Sequence, residues 1–127
     1  MDNEIDWSPI RTLARRIFSQ GEPLALTEET KALLRRTASE VGLSEADAQT
    51  ALASEEGALS LLRDSSQRIH EGARRLTSAL HRMYERQHVG DFEGARKEMQ
   101  EVLAVEVVPH YRAIAAGQLE DMAGKTS

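Results

Sequence analysis

A chain of 127 residues, 40% hydrophobic, 4% aromatic and 29% charged, has apolar content for one modest core and would starve two or three. Zero cysteines exclude a disulfide framework, a thiolate-held metal and a cysteine nucleophile. A formal charge of −5 argues against broad binding to nucleic acid or anionic membranes, which needs clustered cation excess.

The acidity sits at the front: residues 1–60 hold 6 basic and 11 acidic groups, against 6 and 4 in residues 61–92 and 4 and 6 in residues 93–127. Ser8 followed by Pro9 reads as an N-cap with proline at the first helical position, and Ile10, Leu13, Ile17 and Phe18 give that helix an apolar face up to Gly21. Gly21-Glu22-Pro23 breaks the periodicity. Thr27 with Glu28 and Glu29 caps a second helix that runs to about Val41, where Gly42 takes the C′ position. Ser44, with Asp47 three residues on, opens a third helix carrying Ala48, Ala51 and Leu52, which ends near a Ser54-Glu55-Glu56-Gly57 break.

Between Gly57 and Gly90 the spacing predicts one helix of about 31 residues, roughly 46 Å long at 1.5 Å per residue. Leu62, Ser66, Ile69, Ala73, Leu76, Leu80, Met83 and Gln87 follow alternating steps of four and three, a seam for packing against something. Gly90 and Asp91 end this helix and cap a fifth, with Phe92, Ala95, Met99, Val102 and Leu103. Pro109 interrupts it, and Tyr111, Ile114, Ala115, Leu119 and Met122 suggest a sixth before a polar tail at Gly124. No useful strand alternation appears.

The expected fold is therefore all-α: a compact helical domain of five or six helices around one long central helix, with a helix-turn-helix-like αα-corner near residues 28–53. One domain over residues 1–127 is expected, with 1–6 and 124–127 as flexible ends. No apolar run approaches the roughly 20 residues of a membrane span, and Met1-Asp2-Asn3-Glu4 lacks the basic and apolar regions of a signal peptide, so a soluble cytoplasmic protein is expected.

Three patterns bear on function. The corner from Thr37 to Leu52 has helix-turn-helix geometry, but its second helix offers Glu45 and Asp47 where a DNA reader presents Arg, Lys, Asn or Gln. Gly90-Asp91-Phe92-Glu93-Gly94-Ala95 resembles a tetratricopeptide turn; with one copy visible it reads as a single antiparallel hairpin. Glu85-x-x-His88 with His81 has a di-iron spacing, yet His70, His81 and His88 lie about 90–110° from the seam and point toward solvent. No metal, cofactor or catalytic residue is expected.

The long helix carries the expected interaction surface. Leu76, Leu80 and Met83 lie on its seam, and Arg68, Arg75, Arg82 and Arg86 fall within about 40° of one another beside it, where charges select a partner helix or pair within the fold. A protein partner is expected, with a homodimer as one form and no nucleic acid or membrane. Glu106 lines up with Phe92, Met99 and Leu103 on an apolar face, so its carboxylate requires a partner: a long-helix arginine, His110, or free N–H groups at the Pro109 break.

Trp7, Gly21-x-Pro23-Leu24, Leu33-Leu34, Val41-Gly42-Leu43-Ser44, Ala51-Leu52, Gly90-Asp91-x-x-x-Ala95-Arg96 and Glu106-x-x-Pro109-x-Tyr111-Arg112 together resemble the DUSAM domain, a group of small uncharacterised paralogues known from myxobacteria. The resemblance spans nearly the whole chain. Its motifs are helix boundaries and packing residues, so it implies a single domain and carries no catalytic residue. The reading is of a cytoplasmic, non-enzymatic protein-interaction module. An immunity or antitoxin-like inhibitor of a basic toxin or nuclease is the alternative within binding, and a helix-turn-helix DNA-binding regulator the alternative outside it.

Overall fold

Helix caps account for most of the element boundaries. The computed structural model describes residues 5–125. Six α-helices and one π-helical segment occur among them, with no strand. The flexible ends expected at residues 1–6 and 124–127 fall in part outside the described residues; of those described, Ile5 is half-buried and the Lys125 carbonyl accepts a hydrogen bond from Arg96 at 2.9 Å. The chain divides into two compact units, Met1–Ile69 and His70–Ser127.

In the first unit, α1 (Ser8–Ala14) continues directly into the π-helical segment (Arg15–Ser19). The helix starts one residue earlier than the Ser8–Pro9 pair predicts: Trp7 is the N-cap, and Asp6 Oδ1 accepts the Ser8 N–H at 3.0 Å. Thr27 caps α2 (Glu28–Glu40) by accepting the Thr30 N–H, and Ser44 caps α3 (Glu45–Ala51) by accepting the Asp47 N–H, both as expected. Gly42, at φ +88°, makes the left-handed turn of the αα-corner, a conformation that costs a side-chain-bearing residue about 1 kcal/mol or more. Ile10, Leu24, Leu34, Ala38, Val41 and Leu62 are buried in this unit, and the Trp7 indole N–H donates to Glu40 Oε1 at 3.1 Å.

The helix α4 (Glu55–His88) is 34 residues long and begins before Gly57, not after it. Ser54 converts the expected break into a start by accepting the Gly57 N–H at 3.0 Å. Gly57 is needed for another reason: a Cβ there would collide with the Ala51 carbonyl, so only glycine lets the end of α3 close on the first turn of α4.

In the second unit, α4 from residue 70 onward meets α5 (Phe92–Val105) and α6 (Pro109–Met122). Gly90 at φ +84° makes the turn, and Asp91 caps α5 by accepting the Gly94 N–H. Two arginines close the helix ends. Arg112 donates to the carbonyls of Leu103 and Glu106 at 2.6 and 2.9 Å, and Arg96 donates to those of Met122 and Lys125 at 3.4 and 2.9 Å, satisfying acceptors that helix C-termini leave open.

The buried stripe of α4 differs from the seam drawn on apolar residues. Leu62, Ser65, Ile69, Gly72, Leu76, Ala79 and Met83 are buried, whereas Ser66, Ala73, Leu80 and Gln87 are half-buried. The heptad register is right, but the second position of each step shifts by one residue onto Ser65, Gly72 and Ala79. Small side chains permit close approach, a property no hydrophobicity pattern marks.

Two glycine substitutions should move stability in opposite directions. Gly117 sits inside α6, and a Cβ added there would meet nothing within 4 Å, so Gly117→Ala should raise the unfolding free energy by about 0.5–1 kcal/mol in urea denaturation. Gly57→Ala should lower it by more than about 1 kcal/mol despite the better helix propensity of alanine.

Candidate functional site

Glu106 is the most constrained charge in the second unit. Its side chain is 1% exposed, although it is not on the helical face that its spacing suggests: α5 ends at Val105, and Glu106 is the C-cap with extended backbone at ψ 135°. Arg75 Nη1 donates to Oε1 at 2.6 Å, while the Val107 and Val108 N–H groups donate to Oε2 at 3.2 and 3.0 Å. Two of the three kinds of partner expected for Glu106 are thus present together. His110, half-buried, lies obliquely beside Tyr111 with ring centroids 5.8 Å apart. Gly72 completes the arrangement, because a Cβ there would collide with the Tyr111 ring and stand 2.9 Å from Glu106 Oε2.

A second buried carboxylate, Glu98, lies outside the set of residues singled out from sequence. It accepts from Arg82 Nε at 2.8 Å and from Arg86 Nε at 3.2 Å, and Arg86 also reaches Asp91 Oδ2 at 3.1 Å. Burial pushes the Glu98 carboxyl up, but the bonds and charges of Arg82 and Arg86 outweigh it and hold the group below its ordinary value. The Gly94 N–H, opposed by burial and assisted by Arg86, lowers Asp91 likewise, and Arg86 is raised chiefly by its bond to Glu98. Sequence does carry a signal for Glu98: Ala95, Glu98, Met99 and Val102 follow the spacing of one helix face and all four are buried.

The fourth arginine of the stripe, Arg68, lies in the first unit and donates to the Val41 carbonyl at 2.9 Å at the end of α2. All four arginines are therefore paired within the fold, with α5, its flanking turns and the α2 C-terminus. Leu76 and Met83 are 5% and 0% exposed and Leu80 is half-buried, so the seam is largely covered within one chain. His70, His81 and His88 face solvent, His81 standing 3.5 Å from exposed Glu85. Among the described residues no group of three or more His, Cys, Asp or Glu side chains is placed to hold a metal ion, and no helix is long and apolar enough to cross a membrane.

The buried carboxylates and their arginines hold the helices of the second unit together. The family described as Protein of unknown function (DUF2379) matches residues 5–122. The chain belongs to that family. No curated protein and no solved structure matches it. The matched segment takes in the α2–α3 corner, all of α4 and the Glu98 and Glu106 clusters.

Acid should loosen the second unit. Glu98 and Asp91 both have lowered folded pKa values, so the stability they contribute is full above their unfolded pKa of about 4 and is lost as pH falls through the lower folded values. The thermal midpoint should drop as pH falls below about 4, and Glu98→Gln should flatten that drop while costing about 1 kcal/mol at neutral pH. Gly72→Ala should cost about 2 kcal/mol or more, read by urea denaturation, because Tyr111 and Glu106 cannot both stay in place.

Proposed function

We propose that the chain is a non-enzymatic protein-interaction module of the cytoplasm. The observation that carries this reading is the outward side of α4 in the second unit. Residues 70, 71, 74, 77, 78, 81, 84, 85 and 88 are exposed along it, Tyr84 by 53%, and Val89 in the turn that follows is 75% exposed. Large side chains left this open on a long, well-formed helix suit a protein partner better than solvent alone. The lack of cysteine fits a reducing compartment. The finer likeness to the DUSAM domain, carried by the helix-boundary motifs, belongs to the same proposal.

One alternative has an observation of its own. The acid excess of residues 1–60, with Glu45, Asp47, Glu55 and Glu56 exposed, suits capture of a basic protein such as a toxin or nuclease. DNA reading is disfavoured by the same side chains, because Glu45 and Asp47 would stand against phosphates in the first turn of α3.

Affinity purification of the tagged full chain from its native cells, with mass spectrometry of the eluate, tests the reading. A near-stoichiometric protein, either another polypeptide or an untagged copy of the chain, is expected, and its yield should fall with Tyr84→Glu. Recovery of the tagged chain as a lone monomer, or with duplex DNA held through a low-micromolar, steeply salt-dependent affinity, would overturn it.

A further inference from the structure

The exposed side of α4 has a periodicity of its own. Glu71, Arg74, Ser78, His81, Glu85 and His88 follow steps of three and four, all six are exposed, and the strip lies about 180° round the helix from the buried stripe of Gly72, Leu76, Ala79 and Met83. Its charges are arranged palindromically about the point between Ala79 and Leu80: Glu71 mirrors His88, Arg74 mirrors Glu85, and Ser78 mirrors His81. We propose that this strip is a self-association face, on which a second copy of the chain packs its own α4 antiparallel about a twofold axis at residues 79–80. The proposal rests on the interaction reading above and names the partner and the face.

The charge pattern selects both partner and direction. In the antiparallel arrangement each Arg74 meets the Glu85 of the second copy, a charge pair formed twice about the axis, while Glu71 and His88 face each other at its ends. A parallel arrangement sets Glu71 against Glu71 and Arg74 against Arg74 and is repelled. Arg74 forms no salt bridge within the described residues, unlike Arg75, Arg82 and Arg86, and Glu85 has only an exposed contact with His81 at 3.5 Å. A hollow lined by Glu71, Arg74, Arg75 and Ser78 lies in the first half of the strip, opposite the place where His81 and Glu85 of the second copy would enter. Tyr84 on the helix beside the strip and Val89 in the turn just beyond it are exposed and add apolar area at the rim. Exposed ion pairs are individually weak and screened by salt, so the dimer is salt-sensitive.

Sedimentation equilibrium of the full chain at low salt tests this directly. Arg74→Glu and Glu85→Arg should each weaken the dimer about tenfold or more, since each sets like charges opposite, and the double variant Arg74→Glu/Glu85→Arg should return to within about threefold of the original, since it restores the palindrome. Both positions are exposed, so unchanged circular dichroism keeps the comparison clean. A chain that stays monomeric at about 1 mM, single variants without effect, or a double variant as weak as the singles would each overturn the proposal. A monomer that still captures another protein through Tyr84 would overturn self-association alone; a monomer that captures nothing would remove the interaction reading as well.

Discussion

The buried carboxylate of Glu106 is the constraint around which the second unit is arranged. Moving a carboxylate out of water costs several kcal/mol unless a cation and hydrogen-bond donors replace the lost hydration. Here Arg75 takes one oxygen and two backbone N–H groups take the other. Each donor imposes a demand in turn: α5 must stop at Val105 so that Glu106 to Val108 can run extended, Pro109 must start α6 without needing an N–H partner, and Gly72 must leave room for Tyr111 and the carboxylate beside α4.

Glu98, about two turns earlier in α5, repeats the device, with Arg82 and Arg86 converging on it and Arg86 extending to the Asp91 cap. The consequence for function is geometric. Arginines beside an apolar seam are the usual means by which a helix chooses a partner chain, yet three of these four are spent on carboxylates within the second unit and Arg68 on a carbonyl of the first. What α4 leaves for recognition is the opposite face, where Arg74, His81, Glu85 and Tyr84 are exposed.

Much of the architecture is legible in the sequence because it obeys local rules. Thr27, Ser44 and Asp91 cap the helices assigned to them, Gly42 and Gly90 adopt positive φ, and the break expected at Pro109 separates α5 from α6. The misses share a cause: close approach depends on a neighbour's position, which periodicity does not encode. Gly57 reads as a break but sits within the first turn of α4 against Ala51, and Ser65, Gly72 and Ala79 read as polar or neutral although they form three of the seven positions of the buried stripe. Glu98 has the look of a surface glutamate, and only its place among Ala95, Met99 and Val102 marks it as buried. Glu106 is buried as expected, but through an extended C-cap rather than a helical face.

The central claim is that the long-helix arginines act as internal clamps on buried carboxylates, and a double-mutant cycle on Arg75 and Glu106 tests it most directly. Unfolding free energies of Arg75→Met, Glu106→Leu and the double variant, measured in urea, should give a coupling of at least about 1.5 kcal/mol, with the double variant less destabilised than the sum of the singles. Additivity within about 0.5 kcal/mol would contradict the account and return Arg75 to the solvent-facing, partner-selecting role.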